Sequence, residues 1–245
     1  MQRQTSISFQ CLELGAGVAL PSLFLGHLFA GDTNPPVQSF NKALLHITDG
    51  KQYRNIRQIL FSLSRQPKQV LKSAFFRVSP HNWGKGVDEE DGSFLAQECP
   101  DAAPRSYDLV IVSDCIYNPT YHRDLLKTIA ATLRLPEKES EDEGGRAILS
   151  FSLHGNTPDK DIWDFVDKVV PETRHGHWRM QARRVKHDFI SSLRTTSGSQ
   201  QKPQPVQGRH GWDMESTMKD LGLWTANIEP KRWFSFVYEI TWTKE

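Results

Sequence analysis

Runs of consecutive apolar residues alternate along this chain with stretches in which apolar residues recur every three or four positions. The runs are rich in β-branched and aromatic residues and predict strands, whereas the periodic stretches predict amphipathic helices. Five strands are predicted, at residues 7–14, 42–48, 73–79, 107–113 and 146–153. Four helices are predicted, at residues 20–29, 53–63, 122–133 and 160–170. Since parallel strands need crossover connections, this alternation predicts an α/β protein with a mostly parallel sheet and helices on both faces.

The last part of the chain has a different pattern. A short predicted helix ends at Gly222, and two apolar runs, 223–230 and 232–242, follow with a turn at Pro230 between them. Two such runs joined by a short turn predict a hairpin. The expected architecture is therefore a Rossmann-like sheet of seven strands, mostly parallel with a C-terminal antiparallel hairpin, in a single domain over 1–245.

Three segments are poor in core-forming residues and rich in Gly, Ser, Pro and charge. They lie at 84–106, 136–145 and 194–210. This composition predicts mobile loops more readily than binding sites. The local basic run "RMQARRVKH", at 179–187, predicts a solvated helix face in preference to a phosphate site.

The composition narrows the classes of function. The formal net charge is +1, so neither sign of charge points to a nucleic-acid or membrane partner. The chain contains no uninterrupted apolar stretch long enough for a membrane span and no secretory signal, so neither export nor membrane insertion is expected. Cys11, Cys99 and Cys115 have no disulfide or metal spacing, which indicates a reducing intracellular compartment. The nine histidines have no metal-ligand spacing with cysteines or acids, so no metal is expected.

The segment "CLELGAG" carries the first strand into a glycine turn. Gly15 and Gly17 leave backbone without side chains, which a ligand can approach closely, and Pro21 suits the first turn of the following helix. A third glycine at the usual dinucleotide spacing is missing, so an ordinary tight turn is the alternative. Glu13 favours the ligand interpretation, because an acid in an apolar strand needs a hydrogen-bond donor.

The second strand also ends in an acid, Asp49, in "LLHITDG". In a parallel sheet this carboxylate lies beside the glycine turn of the first strand, where an acid can accept both hydroxyls of a ribose. The alternative is that Asp49 caps the next helix.

The fourth strand, "YDLVIVS", runs directly into "DCIYN". The carboxyl ends of parallel strands are where open α/β sheets bind ligands. Asp114 and Tyr117 are therefore expected at the rim of the same site. A cap on the helix that starts near Pro119 is the alternative for Asp114. Cys115 and Ile116 are expected to pack in the core.

Taken together, "LELGAG", "ITD", "HNWG" and "YDLVIVSDCIYNPTYHRDLLKTI" resemble the seven-β-strand, S-adenosylmethionine-dependent methyltransferases of methyltransferase family 16. The resemblance is greatest to protein-lysine methyltransferases such as the one that acts on valosin-containing protein. It covers roughly residues 7–155. It implies an S-adenosyl-L-methionine cofactor, and a protein substrate that carries the target lysine.

The resemblance also implies a set of cofactor-binding residues. The glycine turn would lie beside the amino-acid portion of the cofactor, the acid ending the second strand would hold the ribose, and the tryptophan of "HNWG" would lie beside the adenine. Core packing is the alternative for that tryptophan. The implied residues are Glu13, Gly15, Gly17, Asp49, Trp83 and Ser113.

The resemblance implies two catalytic residues, Asp114 and Tyr117. Asp114 would receive and orient the incoming amine, and Tyr117 would shape the channel and make one hydrogen bond. Asp114 is not assigned as a strong base, because an ordinary carboxylate is a poor acceptor for a lysine proton.

Two features depart from the family pattern. Ala19 stands where a further glycine is usual, and the first strand begins about seven residues from Met1, whereas family members have a longer N-terminal segment with a cofactor-contacting tryptophan. An inactive methyltransferase-like binding module is therefore one rival interpretation. A small-molecule or nucleic-acid N-methyltransferase is another, although "DCIY" lacks the two prolines typical of nucleic-acid amino methyltransferases. A monomer in the cytoplasm, with the nucleus as a second compartment, is expected.

Overall fold

Eight strands form one sheet within the part of the chain that the structure, a computed structural model, describes: residues 9–31, 43–84, 105–137, 142–152, 157–185 and 235–245. The strands are β1 (Phe9–Leu14), β2 (Ala43–Asp49), β3 (Phe75–Pro80), β4 (Leu109–Ser113), β5 (Arg146–Ser152), β6 (Arg174–His175), β7 (Trp178–Arg184) and β8 (Ser235–Lys244). The helices are α1 (Leu20–Phe29), α2 (Tyr53–Ser64), α3 (Lys68–Ser73), α4 (His122–Thr132), α5 (Asp159–Asp164) and α6 (Val170–Glu172).

The strand order is β3-β2-β1-β4-β5-β8-β7-β6. The first five strands in this order are parallel, and β8, β7 and β6 continue the sheet in antiparallel pairs. The parallel part has the strand order of a doubly wound Rossmann-like sheet. The predicted fold class is thus confirmed, but the number of strands is eight and not seven, because the two-residue β6 pairs with the outer edge of β7.

The predicted helices and parallel strands lie close to the observed ones, except that one predicted helix is divided into three segments. The helix predicted at 160–170 consists of α5, a π-helical segment (Phe165–Val169) and α6. A 3₁₀ turn, Pro119–Tyr121, precedes α4. The six-residue α3 was not predicted, because so short a helix contains too few apolar positions to show a period.

The interpretation of 179–187 as a helix face was wrong. Residues 179–184 belong to β7, in which Met180 is buried while Arg179, Gln181 and Arg183 are exposed. This alternation has the period of two that belongs to a strand with one buried face. The partner of β8 in the antiparallel part is therefore β7. The strand predicted at 223–230 and the helix predicted to end at Gly222 lie outside the described residues.

Helices cover both faces of the sheet. β2 contributes Leu44 to the larger buried cluster, which includes Leu125 and Ile129 of α4, and Ile47 to the smaller one, which includes Leu23 of α1 and residues of α2. Side chains three positions apart in a strand point to opposite faces, so α4 and α1 lie on opposite sides. The chain thus has the three-layer arrangement of an open α/β sheet.

Most of the predicted loop 84–106 and all of 194–210 lie outside the described residues, whereas 136, 137 and 142–145 of the predicted loop 136–145 are described. Among the residues that are described, no helix combines the length and the apolar character that crossing a membrane requires.

Candidate functional site

The predicted site residues converge where the sheet changes its direction of winding. β2, β1 and β4 are parallel neighbours, and Leu14 of β1 is level with Thr48 of β2 and Val112 of β4. Their carboxyl ends therefore emerge at one edge, which is the switch point at which doubly wound sheets bind ligands. All eight predicted residues lie in the last two positions of these strands or in the segments that follow them or β3: Glu13, Gly15, Gly17, Asp49, Trp83, Ser113, Asp114 and Tyr117.

The two glycines of the turn after β1 have different surroundings. Both have left-handed backbone, with φ +66° at Gly15 and φ +55° at Gly17. A Cβ at Gly15 would lie 2.6 Å from Cys115 Sγ and 3.0 Å from the ring of Trp83. A Cβ at Gly17 would meet nothing within 4 Å. Gly15 is therefore needed for packing within the protein, while Gly17 leaves open space above backbone that a ligand can approach.

Asp49 joins the glycine turn to the start of α2. Its Oδ2 accepts a hydrogen bond from the Gly17 amide at 2.7 Å. Its Oδ1 accepts from the Gly50 amide at 2.7 Å and from Asn55 Nδ2 at 2.6 Å. The N-cap of α2 is Gln52, so Asp49 does not take the alternative role of helix cap.

These bonds limit what Asp49 can offer to a ligand. A carboxylate has about four acceptor positions, and donors among the described residues occupy three of them. The remaining position, on Oδ2, suits one hydroxyl group. The expectation that Asp49 accepts both hydroxyls of a ribose stays a prediction.

Glu13 is buried beneath the turn. It is 1% exposed, and its carboxylate accepts a hydrogen bond from the Ser22 amide in the first turn of α1 at 3.0 Å. Burial raises the pKa of Glu13 to about 7, and the nearby Asp49 carboxylate adds to the rise, while the Ser22 amide opposes it. The Glu13 side chain thus links β1 to α1 beneath the glycine turn, and its carboxyl group gains or loses a proton near neutral pH.

Trp83 lies between the glycine turn and α4. Its ring is close to Gly15, and it packs edge-on against Tyr121 with ring centroids 6.3 Å apart. The following amide, of Gly84, donates to Thr128 Oγ1 of α4 at 2.9 Å. The ring also packs against the larger core cluster and is half-buried. Trp83 is therefore both a packing residue and a wall of the site edge.

The loop after β4 presents Asp114 and Tyr117 to solvent. Asp114 has φ 56°, in the left-handed region that non-glycine residues seldom adopt, and its amide donates to the Ser150 carbonyl at 2.7 Å. Strained backbone of this kind concentrates at functional sites. The cap of the following 3₁₀ turn is Asn118, whose Oδ1 accepts from the Thr120 amide at 3.1 Å. Asp114 therefore does not serve as that cap.

Residues beside Asp114 anchor this loop to the sheet. Ser150 Oγ of β5 donates to Ser113 Oγ at 3.1 Å. Cys115 Sγ lies 3.3 Å from the Leu14 carbonyl oxygen, and burial raises the pKa of this thiol to about 12. Cys115 is thus an unreactive packing residue, as expected. Within the described residues no cluster of three or more His, Cys, Asp or Glu side chains could hold a metal ion.

Two residues near the site were not predicted from the sequence. Asn55 holds Asp49, and His122 donates from Nε2 to the Ile116 carbonyl at 2.9 Å. The available signal was weak: a polar residue six positions after Asp49, and a histidine at the start of a periodic helix. Both contacts depend on how separate elements pack, which local periodicity does not describe.

Comparison with known proteins gives partial matches. No family model matches the chain. The chain is 31% identical over 159 residues to protein N-terminal and lysine N-methyltransferase EFM7 of Cryptococcus neoformans var. neoformans, a match that covers 62% of this chain and 46% of that protein. The protein of the same name from Candida albicans is 29% identical over 149 residues, covering 58% of this chain and 47% of the relative. The chain therefore spans about half the length of the curated relatives it matches.

Solved structures are more distant. The glycopeptide N-methyltransferase MtfA complexed with S-adenosyl-L-homocysteine superposes with a TM-score of 0.39 at 10% identity, over 98% of this chain and 85% of that chain. A geranyl diphosphate methyltransferase in complex with SAM has a TM-score of 0.43 at 10% identity, over 96% of this chain and 77% of the other. These TM-scores are too low to support a conclusion.

Proposed function

We propose that this protein is an S-adenosylmethionine-dependent N-methyltransferase that acts on lysine side chains of a protein, of the kind found in methyltransferase family 16. The observation that carries the proposal is the convergence of an open glycine turn and the Asp114–Tyr117 loop at one sheet edge. The similarity to two proteins named as protein N-terminal and lysine N-methyltransferases supports it.

The residues at this edge fit the cofactor. The open space over Gly17 suits the close approach of the amino-acid portion, and the remaining acceptor position of Asp49 suits one ribose hydroxyl. Trp83 would offer an aromatic face for the adenine, and Ser113 ends β4 at the same sheet edge. When bound, S-adenosylmethionine supplies a methyl group on a sulfonium, which is ready for transfer to a nucleophile.

The chain's own contribution to transfer is positioning. An amine nitrogen must approach the methyl carbon in line with the bond that breaks, so its orientation governs the rate. Asp114 would receive the incoming amine as a hydrogen-bond acceptor, and Tyr117 would shape the channel beside it. Asp114 has left-handed backbone in an exposed loop at the sheet edge, and strained backbone of this kind is typical of a functional site.

The amine must also lose its proton. An unperturbed lysine has a pKa of about 10.4, so presenting it neutral at pH 7 costs about 4 to 5 kcal/mol. A neighbouring sulfonium and desolvation both favour the neutral amine. Asp114 would guide the ammonium into the channel, and the proton would leave to solvent before transfer.

A protein N-terminus is the second candidate acceptor, because both relatives are named as methyltransferases of protein N-termini as well as of lysine. An α-amine has a pKa of about 7.7 to 8.0, so its neutral form costs only about 1 kcal/mol at pH 7. The two acceptors therefore differ in their pH dependence. Lysine methylation should keep rising up to about pH 10, whereas methylation of an N-terminus should level off near pH 8.

The test combines binding with product mapping. The purified chain is first titrated calorimetrically with S-adenosylhomocysteine, and micromolar binding is expected. It is then incubated with S-adenosylmethionine carrying a deuterated methyl group and a cell extract, and the labelled residues are located by mass spectrometry. Label on lysine side chains supports the proposal. Label only on N-termini, small molecules or nucleic acid would replace it with one of the rivals, and a folded chain that binds no cofactor would indicate an inactive binding module.

The proposal includes a monomer that acts on protein and not on nucleic acid, in the cytoplasm and the nucleus. "DCIY" after β4 supports a protein substrate, since it lacks the paired prolines typical of nucleic-acid amino methyltransferases. Light scattering of the purified chain tests the monomer, and fractionation of cells tests the compartments. A stable dimer or a membrane-bound pool would contradict this part.

A further inference from the structure

The loop that carries Asp114 and Tyr117 is held in place by a histidine that lies outside it. His122 is the first residue of α4 and is only 5% exposed. Its Nε2 lies 2.9 Å from the carbonyl oxygen of Ile116, in the middle of the loop. A carbonyl oxygen can only accept a hydrogen bond, so Nε2 carries the hydrogen and donates it.

The ring of His122 is itself fixed by packing. Its centroid lies 4.8 Å from that of Phe165, which is fully buried and begins the π-helical segment after α5. Single π-helical turns within helices occur frequently at functional sites. The imidazole therefore joins three parts of the chain: the site loop, the start of α4 and the helix after β5.

The carbonyl that His122 holds is central to the loop. Ile116 is 1% exposed, so its carbonyl would lose a partner in a place with little access to water, at a cost of about 1 to 3 kcal/mol. The neighbouring contacts hold other atoms: the Asp114 amide donates to Ser150, and Thr157 Oγ1 donates to the Tyr117 carbonyl. The His122 bond holds the backbone of the loop between the two predicted catalytic residues, where Cys115 is held by its side chain.

We infer that His122 is a positioning residue, whose Nε2–Ile116 hydrogen bond sets the direction in which Asp114 and Tyr117 face the acceptor amine. This inference rests on the proposed function for its effect on methyl transfer, while its structural part stands on the contact alone. His122 need not touch cofactor or substrate, because it acts through the backbone of the loop. Its loss should therefore change the transfer rate and leave cofactor affinity intact.

Two substitutions separate the hydrogen bond from the packing. His122→Phe keeps an aromatic ring against Phe165 but removes the donor, whereas His122→Gln removes the ring and keeps an N–H that can reach the Ile116 carbonyl. His27→Phe is the matched control, since it removes a histidine bond to Gln66 at the far end of α1. Each variant is compared with the wild type by S-adenosylhomocysteine calorimetry, by methyl transfer to the same extract, and by amide hydrogen exchange.

His122→Phe should lower the transfer rate at saturating cofactor by roughly ten- to a hundredfold, as expected for a misplaced catalytic group, with the KM for S-adenosylmethionine and the calorimetric Kd nearly unchanged. Amides of the loop 114–118 should exchange faster while those of β4 stay protected. His122→Gln should restore most of the rate, and His27→Phe should match the wild type.

A His122→Phe enzyme with the wild-type rate and unchanged loop exchange would overturn the inference. A larger loss of rate in His122→Gln than in His122→Phe would assign the effect to ring packing instead of the hydrogen bond. Equal loss in the two variants would leave the hydrogen bond without an effect of its own. Either result would overturn the inference as well. If the wild type itself transfers no methyl group, the proposed function fails, but hydrogen exchange of the loop in the same variants still decides whether His122 positions it.

Discussion

At the scale of single residues, the site depends on backbone that most side chains disfavour. Gly15, Gly17, Ala19 and Asp114 all have positive φ, and they lie in the two turns that leave β1 and β4. Each L-residue held in this region costs about 1 to 2 kcal/mol relative to ordinary backbone. This cost is concentrated at the sheet edge where the predicted ligand contacts lie, which is typical of a functional site.

The two glycines should respond differently to the same substitution. Gly15→Ala should destabilise the fold by about 3 kcal/mol, because the left-handed backbone and the clash with Cys115 and Trp83 add together. Gly17→Ala should cost only about 1 kcal/mol, because its Cβ meets open space. S-adenosylhomocysteine affinity should nevertheless fall in Gly17→Ala, since the methyl group fills the ligand approach. Urea unfolding and calorimetry measure both effects, and a Gly17→Ala chain with normal affinity would contradict this role of the turn.

The two acids should divide between binding and transfer. Asp49→Asn turns an amide group toward backbone or Asn55 donors, so it should lose about 1 to 3 kcal/mol of stability and weaken cofactor binding. Asp114→Asn should keep stability and cofactor affinity, since asparagine tolerates positive φ, yet abolish most transfer. Equal loss of binding in both variants would show that this division of roles is wrong.

At the scale of elements, an ion triad joins the parallel and antiparallel parts of the sheet. Glu239 of β8 accepts from Arg146 of β5 at 3.0 Å and from Arg183 of β7 at 2.6 Å. The carboxylate is 10% exposed, whereas both guanidinium groups are much more accessible. The acid is therefore the member whose hydrogen bonds matter most, because the arginines can return to water.

Glu239→Gln should lower the free energy of unfolding by about 1 kcal/mol, since two bonds between opposite charges become at most one bond from an arginine to an uncharged amide oxygen. The matched control is Glu245→Gln, which weakens a single exposed pair with Arg174 at 2.7 Å. That control should change stability by less than about 0.5 kcal/mol. Urea unfolding measures both. Equal effects would show that the triad contributes no more than an ordinary surface pair.

At the scale of the whole molecule, two buried groups give stability opposite pH dependences. Burial lowers the pKa of His46 to about 3, and its ring nitrogens pair with Tyr107 Oη and Ser79 Oγ, each at 2.7 Å. Burial raises the pKa of Glu13 to about 7. The His46 contribution is present above pH 6.5 and is lost as pH falls toward 3. The Glu13 contribution is present below pH 4.5 and is lost as pH rises through 7.

Unfolding by urea between pH 3 and pH 8 should therefore separate the two groups. In the wild type, His46 should lower the free energy of unfolding by about 5 kcal/mol as pH falls from 6.5 to 3. His46→Gln should remove this decrease, because the variant has no histidine that must stay neutral in the folded state. Glu13 should lower the free energy of unfolding by about 3 kcal/mol as pH rises from 4.5 through 7, and Glu13→Gln should remove this decrease. If either variant kept the wild-type slope in its own pH window, the group in question would not be the source of that dependence.

The parts of the fold that the sequence predicted are those whose sequence patterns act over a short distance along the chain. β1 to β5 and helices α1, α2 and α4 were predicted close to their observed bounds, since period and residue type act within a few neighbours. β7 was misread because its charged residues conceal the alternation that Trp178, Met180 and Ala182 mark. The sequence predicted that the site residues lie at one edge of the sheet, but it did not predict their hydrogen-bond partners.

The sequence by itself determined the alternating strands and helices, the glycine turn and the polar ends of β1, β2 and β4. Only the tertiary structure decided that β7 is the partner of β8, that Asp49 already binds three donors, and that His122 holds the Ile116 carbonyl. The reason is physical. The spacing of apolar residues shows which face of a segment is buried, whereas these contacts join residues from different elements. Their hydrogen bonds exist only once the strand order has brought those elements together.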